Sequence, residues 1–197
     1  MSQLKPVVYI ISIALVFFGP APISSAIDSN PSVLLNSEIE SLIKALSHQE
    51  SSSKNEKAAY VIAIVHNREV QIKLLSQTKK AFENNQDLKI QGRTVSVVLI
   101  PFSDAVKLQD KLGKKKPNAV YIPSGNDKSI RVILSVTRRM HILSITNVPD
   151  FVHWKGVTLG VDSSKGGNPK IMVNLASCQN EKVEFDQKLL EKAEVFF

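Results

Sequence analysis

Four histidines, one cysteine and one glycine-rich loop are the parts of this 197-residue sequence whose types could do chemistry. His48, His66, His141 and His153 lie far apart, and none is paired with another histidine at metal-ligand spacing. His66 with Glu69 offers half of a metal site. The same residues also read as a strand end entering a helix, whose positive N-terminal end favours Glu69. Cys178 has no histidine beside it in sequence to serve as its base. It reads as a buried small hydrophobe, an intermolecular bridge or a reactive thiol, because a lone cysteine makes no internal disulfide. Gly160-Val161-Asp162-Ser163-Ser164-Lys165-Gly166-Gly167 has phosphate-loop residue types without the required glycine-lysine-hydroxyl order. His66-Asn67-Arg68-Glu69 stands where a dinucleotide turn would need glycines, and is too bulky for a pyrophosphate to approach the backbone. No serine occupies a nucleophile elbow. The expectation is a noncatalytic protein with no cofactor and no metal.

Binding is the remaining chemistry. The loops expected after the strands carry Asn67, Ser103, Ser124, Gly125, Asn126 and Asn147, small or polar residues that adjoin helix starts. Ligands of α/β sheets bind at such carboxyl ends. Asn67, Ser124, Asn126 and Asn147 are therefore the candidate ligand or partner edge. Helix capping explains each of them without a ligand; a small polar or anionic ligand is the alternative.

These residues need a scaffold, and the hydrophobic pattern supplies one. Residues 60–65, 94–100, 119–122 and 142–145 are β-rich runs of strand length. Helical spacing separates them over residues 70–82, 103–112 and 127–138, with Ser103 expected as N-cap of the middle one and Gly113 as its end. Strands apolar on both faces alternating with helices predict an α/β three-layer sandwich around a mostly parallel sheet of about five to six strands. Residues 157–161 and 170–175, joined by the loop 163–169, predict at least one antiparallel strand near the C-terminus. Asp186 is expected to cap a last helix carrying Leu189, Leu190 and Ala193. His153 and Trp154 fall in a loop. Upstream, residues 34–46 place Leu35, Ile39, Leu42, Ile43 and Leu46 on one helical stripe, followed by the serine-rich polar loop 48–57. That stripe must pack on its own sheet, or else on a partner or second copy.

The N-terminus reads as an export signal. Lys5 precedes an apolar run over residues 7–18; Gly19, Pro20 and Pro22 break it, and Ser24-Ser25-Ala26 offers cleavage after Ala26. The run is short of the about 20 residues that cross a bilayer. An uncleaved anchor is the rival reading. The sequence thus divides into a signal peptide (1–26), a linker with helix and polar loop (27–57) and an α/β domain (58–197), with no integral membrane part after cleavage. The formal charge is +7 and the isoelectric point near 9.5. An exported chain with scattered charges argues against nucleic acid. An anionic membrane surface or an acidic partner is the functional alternative for the Lys114-Lys115-Lys116 and Arg138-Arg139 clusters, against a solvated turn and a helix end.

One family shares these features. Gly92-Arg93-Thr94-Val95-Ser96-Val97 resembles a glycine-arginine-led valine strand of the YfiR-like periplasmic family. Ala119-Val120-Tyr121-Ile122 falls where that family has its next buried strand. Ile142-Leu143-Ser144-Ile145-Thr146-Asn147, then Phe151, Gly156 and Val157, then Ile171-Met172-Val173-Asn174-Leu175, and finally residues 183–193 with Lys188-Leu189-Leu190, continue the likeness in order. The resemblance implies a periplasmic, noncatalytic regulator that binds the periplasmic part of an inner-membrane signalling protein. In the best-understood members that protein is a diguanylate cyclase, and binding lowers cyclic di-GMP production and biofilm formation. The sequence departs from the family twice: the first helix lacks aromatic residues, and Cys178 stands alone where repressors can carry disulfides. A redox-tuned mechanism is not implied. A periplasmic small-solute-binding protein is the second expectation, and a homodimer is a further alternative.

Overall fold

The computed structural model describes residues 36–50, 59–67, 72–84, 89–164 and 168–197. The expected signal peptide and linker, most of the polar loop, Arg68, Glu69, and Lys165 to Gly167 of the glycine-rich loop lie outside the described residues.

Among the described residues, seven strands form one sheet in the order β2-β1-β3-β4-β5-β6-β7. They are β1 (Tyr60–His66), β2 (Val95–Pro101), β3 (Ala119–Tyr121), β4 (Leu143–Thr146), β5 (Leu159–Asp162), β6 (Lys170–Asn174) and β7 (Glu194–Phe196). Neighbours are parallel except β5 and β6, which pair antiparallel with Val161 opposite Ile171. The fold is the expected α/β sandwich with its antiparallel pair near the C-terminus. The strand count exceeds the expected five to six. The added strand, β7, is three residues long, too short to show an alternation in the sequence.

Helices cover both faces. On one face α1 (Asn36–Ser47) and α2 (Ile72–Asn84) pack with Tyr60, Ile62, Ile64 and Val97. On the other, α3 (Ala105–Lys115) and α4 (Ile130–Met140) pack with Ala63, Val65, Val120 and Ile122. Alternate residues of β1 thus serve opposite layers, as a strand buried on both faces requires. Ile39, Leu42, Ile43 and Leu46 of α1 are all buried, so this stripe packs on its own sheet.

Five local readings are corrected. Asp104, not Ser103, caps α3: its carboxylate accepts from Lys107 N at 2.8 Å, and the Ser103 hydroxyl is left 3.4 Å from the same side chain. The charged acceptor makes the stronger cap. Gly113 lies within α3, which ends instead at Lys115, capped by Lys116 in the left-handed region (φ 46°) and followed by Pro117. Residues expected to continue β6 turn at Asn174 into α5 (Leu175–Glu181), because the Asn174 side chain accepts from Ser177 N at 2.9 Å. The Asp186 cap is present, accepting from Leu189 N at 3.0 Å, but the helix it starts is only α6 (Gln187–Leu190). His153 and Trp154 lie in a π turn, Phe151–Lys155.

Candidate functional site

The chain leaves β1 for β2 on one side, while β3 pairs on the other. The carboxyl ends of β1 and β3 therefore flank the point where strand order reverses, the usual ligand crevice of an open α/β sheet. Asn67 follows β1, and Ser124, Gly125 and Asn126 follow β3. The structure brings these together. Asn67 Nδ2 donates to Gly125 O at 2.9 Å, and Asn67 Oδ1 accepts from Ser129 Oγ at 2.9 Å. Asn126 is wholly buried, and its Nδ2 donates to Pro123 O at 2.9 Å and Val65 O at 3.3 Å. Its main-chain oxygen accepts from Ser129 N and Ile130 N, which starts α4. Ser124 is buried as well.

This crevice is stitched by its own side chains. Both polar atoms of the Asn67 amide are used between the two loops, so among the described residues the site presents little free donor or acceptor capacity. The exception is Asn126 Oδ1, a buried acceptor without a hydrogen-bond partner among the described residues. Ser129 completes the cluster; only its place one residue before α4 marks it in the sequence. Ser103 is not part of the cluster. Asn147, after β4, accepts a 2.6 Å bond from the buried Tyr121 hydroxyl. Burial first, then the nearby Glu38 carboxylate, pushes the Tyr121 phenol well above its ordinary range, so it stays a donor. His66 Nδ1 lies 3.1 Å from Asn67 O. No group of three or more histidine, cysteine or acidic side chains that could hold a metal exists among the described residues.

Two features not foreseen lie at the other end of the sheet. Glu181, wholly buried at the end of α5, accepts from Thr137 Oγ1 at 2.7 Å, Ser144 N at 2.8 Å and Thr158 Oγ1 at 2.6 Å. Burial drives its carboxyl upward, while these donors pull it back. Beside it, Ser177 Oγ and an Arg138 guanidinium nitrogen both donate to Gly156 O, at 2.8 and 3.1 Å. Separately, a groove of about 670 Å³ runs along α5 and α6, lined by Leu175, Cys178, Val183, Phe185 and Leu190. Burial, then Glu181, pushes the Cys178 thiol up to about 12, which leaves it protonated and poorly nucleophilic.

Among the described residues no helix is long and apolar enough to cross a membrane. Comparison with curated proteins gives no match. Among solved structures, a conserved domain protein from Vibrio cholerae O1 biovar El Tor str. N16961 superposes with a TM-score of 0.57 at 10% identity, over 81% of this chain and 60% of that one. An ABC domain from Streptococcus pneumonia in complex with L-Trp gives 0.55 at 14% identity, over 82% and 60%. The chain thus spans about 60% of the length of either structure, and at these identities the likeness is one of fold. Residues 46–194, by contrast, match a family defined by sequence, described as YfiR/HmsC-like, from the end of α1 into β7. The chain belongs to the YfiR/HmsC-like family.

Proposed function

We propose that this protein is an exported, noncatalytic regulatory binding module of the periplasm, docking on the periplasmic part of an inner-membrane signalling protein such as a diguanylate cyclase. The observation that carries this reading is the family match over residues 46–194. Two others support it. Asn67 spends its amide on Gly125 and Ser129, as a structural loop lock does. The one cysteine is buried and held protonated. In this reading residues 1–26 are removed on export and residues 58–197 are the regulatory domain. Affinity capture of the tagged protein from native membranes tests it: a membrane signalling protein is the expected partner, and its absence overturns the reading.

A second reading, a periplasmic small-solute-binding protein, is favoured by the open acceptor of Asn126 Oδ1 at the switch point. The Streptococcus structure of similar fold holds L-Trp. A solute at about 100 times its Kd adds roughly 2.7 kcal/mol of stability. Thermal-shift screening against amino acids, sugars and ions is expected to give a hit on this reading, and none on the first.

A further inference from the structure

Strand β2 is one edge of the sheet, with β1 as its one partner among the described residues. Tyr60 N donates to Thr94 O and Phe102 N to His66 O, both at 2.8 Å, and these bonds set the phase of the parallel ladder. The main-chain groups of Ser96, Val98 and Ile100 therefore face β1, and those of Val95, Val97 and Leu99 point outward. From Val95 to Pro101 the strand carries no charge. Natural edges are blunted by lysine, proline, a bulge or a covering element. Here the one proline, Pro101, comes last, and its carbonyl accepts from Lys111 Nζ at 2.9 Å. Among the described residues nothing pairs the outward main-chain groups of Val95, Val97 and Leu99; Leu99 is 37% exposed there and Val97 4%.

The surroundings indicate what fits. Lys107, Lys111 and Lys115 follow one another at intervals of four along α3, and the Lys111 bond to Pro101 places this stripe alongside the edge. Lys107 has an exposed contact with Asp104 at 3.3 Å; among the described residues no carboxylate pairs Lys111 or Lys115. Ile100 and Val98 lie on the α3 side of the sheet, and Val97 on the α2 side, which puts Leu99 there too. A strand added outside β2 would turn alternate side chains toward the lysines and the others toward Leu99. A second copy of this chain would oppose lysine stripe to lysine stripe.

The geometry points to β2 as a strand-addition site for an extended segment of a partner protein in which acidic residues alternate with apolar ones. Main-chain bonds to Val95, Val97 and Leu99 hold the segment, and the α3 lysines select its charge. This inference rests on the binding-module reading and names the partner's chemistry.

The test uses the full chain, isotope-labelled, and a capped peptide alternating glutamate and valine, with a lysine-valine peptide as control. Amide hydrogen exchange is read at Val95, Val97 and Leu99. In the free protein these amides are expected to exchange faster than those of Ser96, Val98 and Ile100, which bond to β1. Saturating acidic peptide is expected to slow the three outward amides at least tenfold. Leu99→Pro removes one outward donor without touching the ladder to β1; it should abolish binding and keep Ser96 and Val98 protected. Lys111→Glu with Lys115→Glu should weaken the acidic peptide at least tenfold and favour the lysine peptide. The proposal is overturned by unchanged exchange with peptide, or by binding indifferent to the charge reversal. Protection that rises with protein concentration alone would also overturn it, in favour of a second copy. Membrane capture that survives Leu99→Pro would leave the docking reading standing and remove this one. Peptide binding without any membrane capture would do the reverse.

Discussion

Thr158 Oγ1 lies 2.6 Å from Glu181 Oε2, and both residues are wholly buried. The bond joins the end of α5 to the residue just before β5. Thr137 and Ser144 bring α4 and β4 to the same carboxylate. Four elements thus meet on one acidic group that, among the described residues, has no cation bonded to it.

The cost of burying that charge should be visible against pH. Burial raises the folded carboxyl above its ordinary value, so the folded state holds the proton more tightly than the unfolded chain. Stability from this group is gained as pH falls through the raised folded value toward the ordinary glutamate range near ~4.3, and lost as pH rises. Urea unfolding at pH 7 and pH 5 should therefore show the wild type gaining more on acidification than Glu181→Gln. Parallel profiles would contradict the account. Thr158→Val, which deletes one donor, should cost about 1–3 kcal/mol at neutral pH.

Leu42 is fully enclosed between α1 and the sheet. Leu42→Ala should cost about 2–5 kcal/mol, and Leu42→Asp should cost at least as much, because its charge has no partner there. Chemical denaturation measures both. A melting curve unchanged by the aspartate would mean that α1 is not held on the domain in solution.

Two glycines should respond with opposite signs. Gly156 sits at φ +80°, and a Cβ there would lie 2.7 Å from an Arg138 guanidinium nitrogen. Gly156→Ala should destabilise by about 1–3 kcal/mol. Gly113 lies inside α3 with nothing near a new Cβ, and Gly113→Ala should stabilise by about 0.5–1 kcal/mol. Thermal unfolding distinguishes them.

Cys178 should be inert while the protein is folded. Its thiol is pushed up to about 12 and the residue is buried. Alkylation by iodoacetamide at pH 8 is expected to run at least about a hundredfold slower than in denaturant, since the thiolate is the nucleophile. Comparable rates would place the thiol at the surface and reopen its role.

Much of this architecture is legible in the sequence because its signals are periodic. The Ile39, Leu42, Ile43, Leu46 stripe and the apolar runs of β1 to β4 announce layers without knowing partners. Asn67 and Asn126 could be singled out because each follows a strand. Their mutual arrangement could not, since the link passes through Ser129, 62 residues from Asn67. Glu181 is hidden for the same reason: its donors come from Thr137, Ser144 and Thr158, and nothing local distinguishes it from an exposed helix-end glutamate. The start of α5 is obscured because β6 runs into it without glycine or proline, the turn being made by the Asn174 side chain alone. Periodic information survives in one dimension; convergence of distant polar atoms does not.

The placement of α1 has a consequence for the order of assembly. Its elements of contact include β5 and β6, strands that the ribosome makes more than a hundred residues later. His48 at its end meets Asp186 at 2.8 Å, and Gln49 bridges Phe185, so its far anchor arrives later still. The first helix of the described chain can therefore complete its packing only when nearly the whole polypeptide is available. Closing so long a loop is entropically slow. A nascent chain arrested before β5 should leave the stripe open to a chaperone or a translocation machine, and native structure should appear late, in one step, only after the C-terminal third has been delivered.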